Sequence, residues 1–455
     1  MKKILLLCLI APFWLSSCLF DDKDLFEQSA SERMEARLRE AKTLLLSSPG
    51  GWLMSYYPSS TQEYGGYTLF LRFSTGNRVT VASEIEVTTG DDAEKTYDSF
   101  YDIISDDGPV LTFNTGNSYI HFFSNPYNPH GIGADGAGME GDYEFIILEA
   151  TSERITLKGK KTGNRVILTP IDPTASWSAL MQEYIDAAAR MSFKRGRYNV
   201  GLPVPVKRNY RQLSFTHPDN KGDTIVTTMG FRYTLTGIQF YDTLKINDIK
   251  VKEMRYVGGT APYFEDVGGS GVRLAIEIWS LSRQLVEDKE DRWGFSYSGL
   301  GSYGQSEWDV PKTVLPNVAF PGDNGRFKLY FAWMGYDFVD GREYCFNFQT
   351  YNNSTNEEFS GIYYGAYAYE VSIVNDNQVK FQRKNLMLGR ASEFYSNASF
   401  NRLIAPIGSS LSSSKTFTLT CDNLQAPTWI LLTDTNNPNN TIKLSSTDIY
   451  LPFDK

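Results

Sequence analysis

The sequence predicts a mainly β fold with a few helices, in which antiparallel meanders form barrel-like or sandwich domains. Tyrosine and phenylalanine each occur 28 times in the 455 residues, and both residue types favour strands. Short runs with a period of two recur along most of the chain and are separated by turn residues. Few stretches have the spacing of an amphipathic helix, so the pattern indicates hairpins rather than a βαβ series.

The first predicted element is a helix over residues 29–48, SASERMEARLREAKTLLLSS. Ser29 and Glu32 have the spacing of a capping box at its start. The run Pro49-Gly50-Gly51 ends it. Apolar residues at helical spacing give the helix one apolar face, and these residues are Met34, Leu38, Ala41 and Leu45.

The period then changes to two, and YTLFLRFSTGNRVTVASE predicts a hairpin with a Thr-Gly-Asn turn. A second helix is predicted over residues 172–191, and strands resume between residues 210 and 256. A meander closed by a helix is typical of a small barrel or a curved sandwich. The strands expected between the hairpin and Pro170 are Val110–Phe113, Tyr119–Phe123, Tyr143–Leu148, Arg154–Lys160 and Arg165–Thr169.

These patterns predict five segments. Residues 1–17 are a signal peptide, 18–28 a lipidated tether, and 29–260 an N-terminal helix with an antiparallel β domain. Residues 261–323 are a Gly- and aromatic-rich connecting region, and 324–455 a C-terminal β domain. GDYEFIILEATSERITLKGKK from Gly141 aligns with GAYAYEVSIVNDNQVKFQRK from Gly365, so the C-terminal domain is either a repeat of the first or an unrelated run of the same kind.

The N-terminus has the pattern of a secretory signal. Lys2 and Lys3 precede about eleven mostly apolar residues, which are too few to span a bilayer. Leu15-Ser16-Ser17-Cys18 follows and resembles a bacterial lipobox, in which the Cys18 thiol is acylated and the chain is cut before it. The alternative is an ordinary signal peptide with a chance cysteine. The lipobox interpretation predicts attachment to outer-membrane lipid through Cys18.

The residues after Cys18 are acidic, with Asp21, Asp22 and Asp24 close together. Such a cluster resembles the export signal of surface lipoproteins of Bacteroidota and predicts an anchor that faces the cell exterior. The alternative is a solvated tether facing the periplasm. Removal of residues 1–17 takes away two lysines and brings the formal net charge from −9 to −11, so nucleic acid is not an expected partner.

No catalytic or metal-binding constellation stands out in the sequence, so neither an enzyme nor a cofactor is predicted. After cleavage only Cys345 and Cys421 remain unmodified, and whether they form a disulfide is left open. His121, His130 and His217 lack the spacing of zinc ligands. The pairs Asp91-Asp92 and Asp106-Asp107 are interpreted as turn residues, as is the oxygen-rich DTNNPNN at Asp434, which has no EF-hand pattern.

Two stretches match G-x-G-x-x-G, namely GIGADG at residues 131–136 and GLGSYG at residues 299–304. A nucleotide site requires such a motif to follow a strand and open a helix. Neither stretch has that predicted context, and both are interpreted as flexible loops.

The most suggestive stretch is EDRWGFSYSGLGSYGQSEWDVP, where aromatic residues lie among glycine and serine. Aromatic rings in such loops can stack on sugars or clamp peptides. The alternative is one buried face of a strand, because the first three aromatic residues alternate. The predicted ligand-binding residues are Trp293, Phe295, Tyr297, Tyr303 and Trp308.

Several phrases together resemble one family. WLMSYYP, GGYTLFLRF, VTVASE, GPVLTF, GDYEF and ITLKGKK are similar to the Bacteroidota lipoproteins grouped as domain of unknown function 4302. The resemblance covers residues 20–300 best and includes Gly141 and Asp142 of GDYEF. It implies no catalytic residues. It implies a genetic context beside SusC/SusD-like outer-membrane uptake systems.

The sequence therefore predicts a lipid-anchored accessory protein on the cell surface, associated with a TonB-dependent SusC/SusD-like uptake system and binding glycan or peptide. A surface hydrolase and a structural or adhesive coat protein are the alternatives. A hydrolase requires two carboxyl groups at catalytic separation across a cleft.

Overall fold

A computed structural model describes residues 29–85, 96–106, 108–127, 132–133, 136–289, 291–318, 327–337, 341–352, 361–397, 399–446 and 453. The predicted signal peptide, Cys18 and its acidic tether lie outside these residues. So do His130, half of GIGADG (Gly131, Ala134 and Asp135), the pair Asp91-Asp92 and Asp107. The described part is mostly β, in three antiparallel sheets with few helices, so the predicted fold class is confirmed. Within it, no helix has the length and apolarity needed to cross a membrane.

The N-terminal helix α1 (Ala30–Leu45) begins at the predicted capping box. The Ser29 hydroxyl accepts a hydrogen bond from the Glu32 amide at 3.3 Å, and the Glu32 carboxylate accepts one from the Ser29 amide at 2.9 Å. These two bonds satisfy donors that a helix start would otherwise leave free. Leu45 is buried at the other end, where its carbonyl accepts a hydrogen bond from the Trp52 indole at 2.8 Å.

The first sheet belongs to a compact unit that includes residues 67–125 and 140–181. Its nine strands are β1 (Trp52–Tyr56), β2 (Tyr67–Ser74), β3 (Arg78–Ser83), β4 (Thr96–Phe100), β5 (Asp102–Asp106), β6 (Gly108–Thr112), β7 (Glu144–Ala150), β8 (Ile155–Gly159) and β9 (Arg165–Pro170). Their order is β4-β3-β2-β1-β9-β8-β7-β6-β5. The predicted hairpin is present as β2 and β3, joined at Gly76 and Asn77, which both have positive φ.

One predicted strand of this unit is wrong. Residues 119–123 form a turn and a short 3-10 helix (His121–Phe123) instead. The cause is Asn117, whose side-chain oxygen accepts hydrogen bonds from the amides of Tyr119 and Ile120 at 3.1 and 3.2 Å. This local bonding turns the chain before it can pair as a strand.

The second predicted helix, α2 (Trp177–Met191), starts five residues later than expected. The Asp172 carboxylate accepts hydrogen bonds from the amide and the hydroxyl of Thr174, which fixes a turn ahead of the helix. The Trp177 indole donates to the Gly50 carbonyl at 2.7 Å.

Gly141 and Asp142 of GDYEF form a fixed corner of the first unit. The buried Asp142 carboxylate accepts hydrogen bonds from the Lys161 amide at 2.6 Å and from the Thr162 hydroxyl at 2.5 Å. The Tyr56 hydroxyl donates to the Asp142 carbonyl and accepts from the Asp142 amide. A Cβ atom on Gly141 would lie 2.4 Å from the Tyr56 hydroxyl. The two residues therefore hold a turn and a tyrosine in place.

The middle barrel is formed by eight strands that close on themselves. Alternate residues point inward, and Tyr198, Phe215, Phe231 and Phe240 fill its core. Its strands are β10 (Arg195–Val200), β11 (Leu202–Asn209), β12 (Gln212–Pro218), β13 (Thr224–Tyr233), β14 (Gly237–Ile246), β15 (Ile249–Val257), β16 (Tyr263–Asp266) and β17 (Arg273–Ile276). Pairing of β10 with β17, from Gly196↔Ile276 to Asn199↔Arg273, closes the barrel.

The last of the three sheets is a closed barrel too, and we call it the third barrel because it follows the first sheet and the middle barrel. It also has eight strands and lies in the same compact unit as the middle barrel. Its strands are β18 (Trp293–Phe295), β19 (Phe327–Tyr336), β20 (Tyr344–Asn352), β21 (Gly361–Asn375), β22 (Gln378–Gly389), β23 (Ser414–Cys421), β24 (Trp429–Asp434) and β25 (Asn437–Ser445). It closes where Gly294 of β18 pairs with Ser445 of β25. Its helices are α3 (Leu281–Val286), α4 (Ser302–Val314), α5 (Ala391–Asn397) and α6 (Phe400–Leu403).

The structure divides the chain differently from the predicted segments. Residues 29–260 contain the whole first sheet and six strands of the middle barrel rather than one domain. Residues 261–323 are not a connecting region, because β16 and β17 complete the middle barrel, and β18 and α4 belong to the third. Strands of three or four residues between glycine-rich turns carry too little periodicity to be found from sequence.

The proposed alignment of GDYEF with GAYAYE does not define matching units. The first hairpin, β7–β8, lies in the nine-stranded sheet, whereas the strands that follow α2 lie in the middle barrel. The second hairpin, β21–β22, and the strands after it lie in one barrel. The two eight-stranded barrels share the same sequential strand order instead.

We expect Asp142→Ala to lower the free energy of unfolding of the first unit by about 2 kcal/mol, because it removes the acceptor of several partly buried donors. Asp98→Ala is the matched control, since Asp98 is exposed and accepts a hydrogen bond from the Thr80 hydroxyl. Denaturant unfolding of both variants measures the difference. Equal losses in the two would contradict the role assigned to Asp142.

Candidate ligand-binding site

Three of the five predicted ligand-binding residues are in the core of the third barrel. Trp293, Phe295 and Trp308 are 0%, 7% and 1% exposed. The Phe295 ring lies 5.4 Å from that of Phe346, and the Trp308 ring lies 4.7 Å from that of Phe453. Their faces contact protein, so they are not available for stacking on a ligand. Trp293 and Phe295 fit the alternative stated above, a buried strand face.

The other two predicted residues are half-buried, Tyr297 in the turn before α4 and Tyr303 within α4. The Tyr297 hydroxyl donates to the Asp309 carboxylate at 3.2 Å, and the Lys312 ammonium lies 5.1 Å from the Tyr297 ring. The Lys415 ammonium lies 5.0 Å from the Tyr303 ring, and burial raises the pKa of the Tyr303 phenol. The structure therefore does not bring the five aromatic residues together as one surface.

The predictions for GLGSYG are wrong on two points, because the stretch follows β18 and α4 begins within it at Ser302. It is not a flexible loop, and it does have a strand before it and a helix after it. A Cβ atom on Gly301 would lie 2.5 Å from the Asn439 carbonyl oxygen and 2.6 Å from the Thr441 hydroxyl. The Gly301 amide donates to the Thr441 carbonyl at 2.8 Å. Glycine at this position therefore allows close packing on β25 and does not form a phosphate cradle.

Of the remaining sequence candidates, Asp434 has a structural role in the part of the chain that the structure describes. Asp434 of DTNNPNN is buried, accepts hydrogen bonds from the Asn436 amide and the Asn440 side chain, and pairs with Lys415 at 3.3 Å. His121 lies in a 3-10 helix and His217 in β12. No group of three metal-ligating side chains occurs in the part of the chain that the structure describes.

The two cysteines that were open to pairing are free thiols. Cys345 is buried, and burial raises its pKa to about 12. A thiol with so high a pKa is almost entirely protonated at neutral pH and is a poor nucleophile. Burial also raises the pKa of the Cys421 thiol.

Two grooves of about 550 Å³ each share one wall residue, Trp279, in the unit that contains the two closed barrels. We call the first the barrel groove. It runs over the outer faces of β10–β13 and along the residues that follow α3. Its polar and charged lining includes Arg195, Lys207, Ser214, Thr216, Glu277 and Asp288.

Strand alternation places these side chains in the barrel groove. In β12, Leu213 and Phe215 are buried in the core, so Ser214 and Thr216 point outward between and beyond them. Lys207 of β11 is paired in register with Ser214. Val226 of β13 adds an apolar side chain that is 59% exposed.

We call the second the helix groove. It lies between the start of α3, the turn joining β21 to β22, and the loop after β23, and it is lined by Ile278, Trp279, Ser280, Leu281, Arg283, Asp376, Asn377, Leu419 and Leu424. Ser280 caps α3 by accepting a hydrogen bond from the Arg283 amide. The side chain of Gln284 donates to the Leu424 carbonyl at 2.8 Å.

Trp279 is the partition between the two grooves. The Arg195 guanidinium lies 4.0 Å from its ring centroid and lines the barrel groove, while the Arg283 guanidinium lies 4.3 Å away and lines the helix groove. The indole N–H donates to the Glu277 carboxylate at 3.2 Å. Cation–π stacking and this hydrogen bond fix the orientation of the indole.

Two largely buried ion pairs connect the middle barrel to the segment before β18, with side chains that are 8–22% exposed. Arg195 pairs with Asp288, and Lys194 pairs with Asp291. The exposed fractions of the Arg195 and Asp288 side chains are 14% and 8%. Burial raises the pKa of the Asp291 carboxyl, Lys194 acts in the opposite direction, and the nearby Asp288 adds to the rise. The pairs hold the floor of the barrel groove against β10.

A family model that matches more than half of the chain decides its family. The model of Domain of unknown function (DUF4302) matches residues 22–258, just over half of the sequence. The chain belongs to this family. The DUF4302 match includes β1–β15 and therefore the strands under the barrel groove. It ends before Trp279 and the whole helix groove.

Solved structures add nothing to the DUF4302 assignment. The DNA polymerase sliding clamp of Pseudomonas aeruginosa is 10% identical over 90% of this chain and 97% of that one, with a TM-score of 0.12. The sliding clamp of Bacillus subtilis is 10% identical over 93% and 98%, with a TM-score of 0.11. A Trp-176-Ala mutant of transferrin binding protein B from Haemophilus parasuis Hp5 is 6% identical over 87% and 73%, with a TM-score of 0.12. TM-scores this low carry no argument.

No curated protein matches the DUF4302 chain. The grooves around Trp279 are therefore assigned from geometry alone. Sequence reasoning missed Trp279 because it concentrated on the aromatic run that begins 14 residues later. The available signal was a tryptophan directly before Ser280, a helix-capping serine, where a large apolar residue marks a packed helix entry.

Proposed function

We propose that this DUF4302 protein is a lipid-anchored accessory protein on the cell surface, that it serves a SusC/SusD-like TonB-dependent uptake system, and that it binds peptide at the Trp279 grooves. The lipobox-like sequence at Cys18 and the acidic residues after it support the anchor and its outward orientation. The observation that carries the ligand class is the mixed lining of the two grooves, with charges of both signs and exposed aliphatic side chains.

The state of Trp279 favours peptide over glycan. A sugar ring stacks on a free aromatic face, whereas guanidinium groups lie 4.0 and 4.3 Å from the Trp279 centroid, one on the side of each groove. Aliphatic side chains and charges of both signs are complementary to peptide side chains. Both barrels are closed, so ligand recognition there depends on side chains rather than on a free strand edge.

Binding is also favoured over hydrolysis. Glu277 and Asp288 are carboxylates of the barrel groove, and each already has partners. Asp288 is paired with Arg195, and Glu277 accepts a hydrogen bond from the Trp279 indole and lies 3.6 Å from Arg197. Carboxylates neutralised in this way are suited to a structural role.

The anchor is tested by replacing Cys18. We expect Cys18→Ala to abolish incorporation of labelled palmitate and to move the protein out of the membrane fraction, because several acyl chains hold a lipoprotein to the bilayer. Cys8→Ala is the matched control, since Cys8 lies inside the predicted signal peptide. Wild-type protein that carries no palmitate and still fractionates with membranes would contradict the proposed lipid anchor at Cys18.

Ligand binding is tested by calorimetry and fluorescence with the mature chain, using a random decapeptide pool and a panel of neutral oligosaccharides. We expect peptide binding that Trp279→Ala weakens at least tenfold, about 1.4 kcal/mol. Trp429→Ala is the control, because Trp429 is half-buried near Lys443 and lines neither groove. Binding of oligosaccharides alone would reassign the ligand class, and binding of neither would reject the proposed function.

A further inference from the structure

The helix groove has an apolar wall that is open to solvent. Ile278 and Leu424 are 36% and 43% exposed, and Leu281 and Leu419 are buried beneath them. Together they form a concave surface that an aliphatic side chain of a ligand can cover. Burying such a side chain stabilises a complex by about 1.5–3 kcal/mol.

The same groove carries one uncompensated negative charge. Asp376 lies at the exposed turn between β21 and β22, and within the described residues its carboxylate makes no hydrogen bond or ion pair. The positive charge of the groove is already engaged, because Arg283 pairs with Glu287 at 2.9 Å and stacks on Trp279. The charge left over for a ligand is therefore negative.

The groove is also held in shape before any ligand arrives. The Ser282 hydroxyl donates to the Asn375 carbonyl at 2.5 Å, and the Ser282 amide donates to the Asp376 carbonyl at 3.1 Å. These bonds tie α3 to the turn that carries Asp376. A preformed site costs a ligand little free energy in ordering the protein.

From these three observations we infer that the helix groove is a specificity subsite for a basic residue next to an aliphatic one in the bound peptide. The aliphatic side chain lies against Ile278 and Leu424, and the lysine or arginine side chain pairs with Asp376. The inference rests on the proposed function. It adds that the ligand continues past Trp279 from the barrel groove, since that residue lines both grooves.

The test is fluorescence anisotropy of the mature chain with three labelled decapeptides that differ at one position each. The parent contains Lys-Leu, the second has Glu-Leu and the third has Lys-Asp. We expect the parent to bind at least fivefold more tightly than either of the others. Equal affinity for all three would overturn the subsite.

Two variants locate the effect. We expect Asp376→Asn to remove the preference for Lys-Leu over Glu-Leu, and Leu424→Ser to remove the preference for Lys-Leu over Lys-Asp. Asp248→Asn and Leu411→Ser are matched controls, since Asp248 follows Asn247 in the turn between β14 and β15 and Leu411 is 48% exposed outside both grooves. Both controls are expected to keep the wild-type preferences.

The outcomes separate the two claims. Peptide binding that depends on Trp279 but ignores Asp376 and Leu424 overturns the subsite and leaves the proposed function standing. Absence of binding by all three peptides and by the random pool overturns both.

Discussion

The ion pair between Arg195 and Asp288 is the contact on which the candidate site depends. Arg195 begins the first strand of the middle barrel, and Asp288 lies in the segment that leads into the third. Both side chains are nearly out of solvent, and the same guanidinium stacks on Trp279. Removing one member of such a pair leaves a buried charge without compensation, at a cost of about 3–5 kcal/mol. The Lys194–Asp291 pair next to it strengthens the same connection.

Closure of the two barrels decides where recognition can occur. Their strands pair on both sides all the way round, which removes the free edges that peptides use in strand addition. Aromatic side chains such as Phe215 and Phe346 fill the interiors of the barrels. A ligand therefore has room to bind on the outer faces and not inside. Outward residues of β10–β13 line the barrel groove, and the segment that carries Trp279 lines both it and the helix groove.

Local signals in the sequence predicted local structure well. The capping box at Ser29 and Glu32 and the Thr-Gly-Asn hairpin each depend on a few neighbouring residues, and both are present as expected. The strand predicted over residues 119–123 is absent because the Asn117 side chain accepts hydrogen bonds from nearby amides and turns the chain. A hydrophobic pattern does not reveal such bonds. Strands of three or four residues, such as β16–β18, were missed because register with distant strands stabilises them rather than periodicity. Trp293 and Trp308 look like ligand-binding residues in sequence, yet both are buried, Trp293 in the closing strand β18 and Trp308 where α4 packs against Phe400 and Phe453.

The candidate site could not be predicted from the sequence, because only the packing of the two barrels brings residues 195, 279, 288 and 376 into neighbouring positions. A double-mutant cycle on Arg195→Met and Asp288→Leu, read as the free energy of denaturant unfolding, tests the connection most directly. We expect each single change to destabilise by about 3 kcal/mol and the double variant to lose much less than the two singles together, with coupling of at least about 2 kcal/mol. Losses that add to within about 0.5 kcal/mol would contradict the claim that this pair holds the Trp279 grooves together.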